Sequence, residues 1–246
     1  MITHLQRLAK LGYQPVNALD IGAYDGTWAE QLKRAFPAAR IHCFEAQDQM
    51  EPALKGLTQR HPDIGFTKAL LGSDPSRVVE FHVQDTKHGS SGSSVYKETT
   101  GFETRVVAMP IQTVDDILEG IRFPLVNFIK IDVQGAEIDV LKGAVEAMKT
   151  AEVLVTELSL VDYNEGAPLI QEVMSFLAEH GFVLYEIADT HRRKNQTLIQ
   201  IDGIFVKMNS PLRQKANWWK TAIALDQKEV KKGALESVRR FLTRAG

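Results

Sequence analysis

A single cysteine, Cys43, is all that this chain of 246 residues contains, which excludes an internal disulfide. Its apolar setting, Ile41-His42-Cys43-Phe44, suits a buried thiol. Long hydrophobic runs are also missing. Nothing approaches the roughly 18 consecutive apolar residues of a membrane span, and the N-terminus lacks the apolar core of a secretion signal, so a cytoplasmic protein is expected. No sign of charge dominates: 29 Lys and Arg against 31 Asp and Glu leave a formal net charge of -2. That balance lacks the basic bias of nucleic-acid binding, and no nucleic-acid partner is expected. The seven histidines (4, 42, 61, 82, 88, 180, 191) show no paired metal-ligand spacing. What remains is an ordinary globular composition, 44% apolar and 24% charged, on a chain long enough for one α/β domain with a substantial core.

Against that background three acids stand out, each closing a strand-like run. Asn127-Phe128-Ile129-Lys130-Ile131-Asp132 ends in Asp132, turns through Gly135 and enters a helix carrying Glu137. In an open α/β sheet, ligands bind beyond the carboxyl ends of the parallel strands, so Asp132 is placed at the lip of a cleft. A second run, Ala18-Leu19-Asp20-Ile21-Gly22-Ala23-Tyr24-Asp25-Gly26-Thr27-Trp28, reads as a first strand, a glycine turn and a helix start. Gly22 permits a tight or positive-φ turn, and Gly26 lets the backbone approach a ligand. A dinucleotide fingerprint G-x-G-x-x-G fails here, because Tyr24 and Thr27 stand where its later glycines belong. Asp20, two residues before Gly22, is placed to face a cationic ligand, the amino-acid portion of S-adenosylmethionine, whereas it would repel a pyrophosphate. The third run, Arg40-Ile41-His42-Cys43-Phe44-Glu45-Ala46, ends in Glu45 about twenty residues beyond the glycine turn, where an acid accepts hydrogen bonds from ribose hydroxyls.

Periodicity supplies the rest of the layout. A short helix through Leu5, Leu8, Ala9 and Leu11 ends at Gly12; helices are expected over about 27–35, 50–59, 136–148 and 168–181. Strands are expected at 64–71, around Val79, Phe81 and Val83, and at 104–109, 152–158, 183–187 and Leu198–Lys207. The last two are too close for a helical crossover and should pair antiparallel. Thr113 caps a helix beginning Val114-Asp115-Asp116. His88-Gly89-Ser90-Ser91-Gly92-Ser93-Ser94 is a loop, either a solvated connection or a lid over substrate. Five βα-type units closed by a hairpin are the layout of the Rossmann-like class I methyltransferase fold, a mostly parallel sheet with a closing antiparallel strand.

At these motifs the chain resembles the FkbM-type family of S-adenosylmethionine-dependent methyltransferases. The residues that carry the resemblance are Leu19-Asp20-Ile21-Gly22-Ala23 with Gly26, Phe44-Glu45-Ala46, Thr113-Val114-Asp115-Asp116-Ile117, and the long string from Ile129 to Ala144. It spans residues 17–207 and implies methyl transfer to an oxygen, often a sugar or polyketide hydroxyl. Family members commonly carry Glu where Gln134 stands, so one negative charge is missing beside Asp132.

For this chemistry an acceptor hydroxyl must lose its proton, ideally to a base within hydrogen-bond reach. Asp132 is the first candidate and Glu157, at the end of the next strand, the second. Lys130 points to the same side of its strand as Asp132 and would keep it ionised or orient the acceptor. Cofactor contacts are assigned to Asp20, Gly22, Ala23, Tyr24, Asp25, Gly26, Glu45 and Ala46. No metal is assigned; the rival reading is a divalent ion shared by Asp132 and Glu157, as in catechol-type methyltransferases. A nucleoside-binding module without catalysis and a nicotinamide oxidoreductase are the rival classes.

Charge is not evenly spread. Residues 207–246 hold 10 Lys and Arg and 3 Asp and Glu, a balance of +7; the remaining 19 and 28 give residues 1–206 a balance of -9. The expected organisation is therefore a catalytic domain over 1–207 and a basic extension over 208–246. Trp218 and Trp219 adjoin lysines, and Leu235, Val238, Phe241 and Leu242 recur at helical spacing. Such a segment suits an anionic membrane surface, the body of the domain, or a homodimer contact.

Overall fold

The structure is a computed structural model that describes residues 1–84, 92–97, 99 and 104–214. Of the basic extension expected over 208–246, residues 215–246 lie outside the described residues, as do residues 88–91 of the serine-rich loop. Residues Met1–Met208 form one compact unit, and a second begins at Asn209. In chain order the elements are α1 (Ile2–Lys10), β1 (Asn17–Ile21), α2 (Thr27–Ala35), β2 (Arg40–Glu45), α3 (Glu51–Arg60), β3 (Ile64–Lys68), β4 (Leu70–Leu71), β5 (Val78–Gln84), β6 (Thr104–Gln112), α4 (Val114–Gly120), β7 (Phe128–Ile131), α5 (Glu137–Lys142), α6 (Val145–Thr150), β8 (Val153–Ser159), α7 (Ile170–Glu179), β9 (Phe182–Arg192), β10 (Leu198–Lys207) and, in the second unit, α8 (Pro211–Gln214). Among the described residues no helix is long and apolar enough to cross a membrane.

Seven strands form one sheet in the order β3-β2-β1-β7-β8-β10-β9. β3, β2, β1, β7 and β8 are mutually parallel, while β10 runs antiparallel to both of its neighbours. Every residue of β1 and β7 is buried, as expected of central parallel strands covered on both faces. Leu19, Ile21, Phe44, Ile129, Ile131, Leu154 and Leu158 pack with Val140, Leu141, Val173 and Leu177 into the main core. The antiparallel closing pair, the class of fold and the Thr113 cap follow the sequence reading; Asp116 N donates to Thr113 Oγ1 at 3.1 Å.

Two elements differ from expectation. The strand expected at 64–71 divides at Ala69: β3 stays in the large sheet, whereas β4 pairs with β6 in a separate three-stranded sheet ordered β4-β6-β5. The helix expected at 136–148 breaks into α5 and α6 at Gly143. A Cβ there would lie 2.2 Å from the Gly72 carbonyl oxygen, so the backbones of two elements meet at a bare Cα. The new helix start is capped from a distance, by Asp115, whose carboxylate accepts Glu146 N at 2.8 Å and Ala147 N at 3.1 Å.

Candidate active site

The strand register brings the acids together. Ile21 pairs with Phe44 and with Ile131, and Ile131 with Thr156. The residues one step further on, Glu45, Gly22, Asp132 and Glu157, therefore form a row across the carboxyl end of the sheet. Asp202 of β10 pairs with Glu157 and Asp189 of β9 with Asp202, extending the row.

A cavity of about 280 Å³ opens beside the first half of this row. Its lining combines apolar side chains, among them Phe44, Ala46, Ala69, Leu70, Leu71 and Phe81, with Tyr24, Asp25, Trp28, Lys130, Asp132 and Gln134. Of the residues assigned to cofactor contact, Gly22, Ala23, Tyr24, Asp25, Glu45 and Ala46 line it. Gly22 has φ 72°, and a Cβ on it would come within 1.9 Å of the Asp132 carbonyl oxygen, so β1 and β7 close on each other through glycine.

Two of the assigned residues, Gly26 and Asp20, do not line the cavity. At Gly26 a Cβ would stand 2.5 Å from Leu57 Cδ2, and its φ of 83° opens α2. Asp20 is fully buried and does not line the cavity. It faces Lys130, whose Nζ lies 3.2 Å from Asp20 Oδ1 and 4.0 Å from Asp132 Oδ2 while donating to Gly22 O at 2.8 Å. The pair is held by charge more than by a directed hydrogen bond, since neither Asp20 oxygen meets a donor in good geometry. Burial pushes the Asp20 carboxyl up and the Lys130 charge draws it partly back. Burial alone would lower Lys130; the charges of Asp20 and Asp132 outweigh it and raise its pKa. Lys130 thus ties the glycine turn to β7.

Glu45 lies under the turn. Its Oε2 accepts Tyr24 N at 2.7 Å, and its Oε1 accepts Ala46 N and Gln47 N, both at 2.9 Å. Burial raises its pKa against the pull of these three backbone donors and of the Gln47 side chain. Glu45 also lines the cavity, so its carboxylate borders any group bound there.

The Asp132 turn is held at several points. Gln134 adopts φ 53° and Gly135 φ 102°. The Gln134 carbonyl accepts Ser94 Oγ at 2.7 Å and Asn164 Nδ2 at 2.9 Å. Glu137 is buried and its Oε1 accepts Val133 N and Gly135 N, both at 3.2 Å; it caps the turn locally, and burial lifts its pKa to about 7. Gln134 Nε2 donates to Asp132 Oδ1 at 2.8 Å, a bond that a carboxylate at position 134 would not supply. Asp132 keeps its side chain 40% exposed, open to an incoming group.

Glu157 does not line the cavity and stands on the far side of Asp132 from the glycine turn. Its Oε1 accepts Gln134 Nε2 and Tyr163 OH, each at 3.4 Å, and Gln200 Nε2. Burial first, then the charges of Asp132, Glu137 and Asp202, push its pKa to about 9. Tyr163, Gln200 and Asp202 escaped the sequence reading. Asp202 left a trace, an acid in the apolar run Leu198-Ile199-Gln200-Ile201-Asp202-Gly203-Ile204; Tyr163 sits on a loop without periodicity.

A parallel sheet with one antiparallel strand inserted next to its last member, and a cleft at its carboxyl end, define the class I methyltransferase fold. The profile of the FkbM methyltransferase domain matches residues 20–184, about two thirds of the chain. The chain belongs to the FkbM methyltransferase family. It is 24% identical over 183 residues to the 2-O-methyltransferase NoeI of Sinorhizobium fredii (strain NBRC 101917 / NGR234), an overlap of 67% of this chain and 72% of that relative. Among solved structures, it overlaps the methyltransferase FkbM of Methylobacillus flagellatus KT with a TM-score of 0.47 and 16% identity, over 76% of this chain and 43% of that one. It overlaps the O-methyltransferase of Bacillus cereus in complex with SAH with a TM-score of 0.48 and 15% identity, over 84% and 80%.

Proposed function

We propose that the protein methylates a hydroxyl of a sugar, or of another small-molecule or glycan acceptor, using S-adenosylmethionine. The observation that carries this reading is the open carboxylate of Asp132 in the lining of a cavity that also presents apolar side chains. The lining fits the cofactor: the apolar walls suit a purine, the carboxylate of Glu45 suits a ribose hydroxyl, and Asp25 and Asp132 suit the cationic end. Bound there, S-adenosylmethionine supplies a methyl group on a positively charged sulfur, reactive enough that positioning the acceptor oxygen contributes much of the acceleration.

The chain's own residues then have distinct tasks. Asp132 takes the acceptor's proton, held in place by Gln134 and by the pinned turn beneath it. Lys130 fixes the spacing between the glycine turn and Asp132. Glu157, set beside Asp132 outside the cavity and engaged by Gln134, Tyr163 and Gln200, serves as an anchor. An oxygen acceptor is supported by the 2-O-methyltransferase activity in the name of the Sinorhizobium relative. A nicotinamide dinucleotide fits less well: Asp25 Oδ1 accepts Thr27 N at 2.9 Å at the start of α2, placing a carboxylate where a pyrophosphate would seek the helix N-terminus.

The test is transfer of labelled methyl from S-adenosylmethionine to a panel of nucleotide sugars and glycans. Labelled product is expected from at least one acceptor, together with calorimetric binding of S-adenosylhomocysteine. Tight binding of NAD with none of S-adenosylhomocysteine would overturn the class; S-adenosylhomocysteine binding without transfer to any hydroxyl would favour a binding module.

A further inference from the structure

Farther along the acidic row, Glu157 meets two groups to which methyl transfer assigns no task, Asp202 and His191. Glu157, Asp202 and His191 each bring one ligand atom within 4.8 Å of the others. They come from three different strands, and pairing places them together: Glu157 of β8 faces Asp202 of β10, and His191 of β9 pairs with Gln200, two residues from Asp202. His191 Nε2 already approaches Asp202 Oδ1 at 3.6 Å.

Glu157 itself is asymmetrically satisfied. All its donors, from Gln134, Tyr163 and Gln200, converge on Oε1, and among the described residues Oε2 accepts no hydrogen bond. Asp132 adjoins it on one side and Asp202 on the other. The cation beside Asp132, Lys130, is engaged with Asp20 and the Gly22 carbonyl. Carboxylates at this density, with an imidazole among them, are a ligand set in search of positive charge.

We propose that Glu157, Asp202 and His191 bind one divalent cation. Two carboxylates and one imidazole match a first-row ion such as Mn²⁺ or Zn²⁺ better than Mg²⁺ or Ca²⁺, which prefer oxygen alone. Ligand atoms about 2.1 Å from a common ion lie roughly 3–4.2 Å apart, so the three side chains need to close by about half an ångström. This site differs from an ion shared by Asp132 and Glu157, because its other two ligands come from the β9–β10 hairpin. With three protein ligands the ion keeps positions free for water or for neighbouring hydroxyls of an acceptor. That last use rests on the methyl-transfer reading; the existence of the site does not.

The test is Mn²⁺ titration of the full chain, read by the electron paramagnetic resonance signal of free Mn²⁺ and by calorimetry, with no methyl donor present. Saturable binding of one ion per chain is expected, weakened at least about tenfold in His191→Ala and in Asp202→Asn. His191 is 44% exposed on the hairpin, so His191→Ala should fold as wild type, and circular dichroism checks both variants. Absence of saturation up to millimolar Mn²⁺ overturns the proposal. So does affinity unchanged in a folded His191→Ala variant, or binding lost in Asp132→Asn but kept in His191→Ala, which would move the ion to Asp132. Because the readout is ion binding, failure here leaves the methyl-transfer reading standing, and failure of methyl transfer leaves this one.

Discussion

The two halves of the sheet end in the same kind of residue and treat it in opposite ways. On β2, Glu45 is buried and three backbone N–H groups hold its two oxygens. On β8, Glu157 occupies the corresponding place in the row, yet its donors are side chains and its neighbours are other carboxylates. Backbone donors come with the turn and cannot swing away; side-chain donors such as Gln200 and Tyr163 can. The β3-β2-β1 half is thus preformed by its own backbone. The other half sets the carboxylates of Glu157 and Asp202 side by side and suits a partner that supplies positive charge or delivers a proton. Asp132 stands where the halves meet.

The largest expected effect is at that junction. Asp132→Asn keeps the size of the side chain but cannot accept a proton, and a positioned base contributes about 10²–10⁴-fold. Turnover in a labelled-methyl assay should fall by about that factor with an unchanged circular dichroism spectrum. A rate within a few-fold of wild type would move the base elsewhere in the row.

Next comes the tie between the halves. Lys130→Met leaves Asp20 charged, fully buried and without its counter-ion, a change that costs about 3–5 kcal/mol. Urea unfolding should show this loss, and the double variant Asp20→Asn, Lys130→Met should recover much of it. Equal stability of wild type and Lys130→Met would mean that the ion pair does not hold β1 to β7.

How far this contrast was legible in the sequence depends on the range of the interaction. Glu45, Gly22 and Asp132 each close a strand-like run, so their place at the carboxyl edge followed from local pattern and the general rule for open sheets. The pairing of Asp20 is not legible because it depends on Lys130, more than a hundred residues away, and strand alternation alone does not say which face a lysine will neutralise. The contact of Gly26 is hidden for a similar reason, since Leu57 comes from another helix. The break at Gly143 was hidden because α5 and α6 continue one periodic pattern; only the approach of Gly72 reveals it. The Glu157–Asp202–His191 grouping needs the β9–β10 register, and bulges in that pairing defeat counting along the strand.

A smaller effect sharpens the preformed side. If Glu45 holds a ribose hydroxyl, Glu45→Ala removes a charged hydrogen bond worth roughly 1.5–3 kcal/mol and weakens S-adenosylhomocysteine about 10–150-fold. Calorimetry measures this directly. Unchanged affinity would remove Glu45 from the cofactor site and leave it a brace for the turn.

The smallest effect tests whether the preformed side is also the neutral one. His42 on β2 is buried, its Nε2 lies 2.9 Å from Thr67 Oγ1, and its ring meets Phe44 and Phe123 edge-on. Burial, and then the charge of Arg40, lower its pKa to about 4 from an ordinary value near 6.5. Between those two values the unfolded chain binds a proton that the folded protein refuses, so the sign is fixed: stability rises with pH across this window and is lost as pH falls from about 6.5 toward 4. At pH 5.5 the His42 contribution is on the order of 1 kcal/mol, from one pH unit below the unfolded value. His42→Gln, which cannot take up a proton, should therefore flatten the curve of unfolding free energy against pH between 6.5 and 4, whatever its offset at neutral pH. A variant whose slope over that range equals that of wild type would show that the acid sensitivity of the fold arises in the carboxylates of the other half.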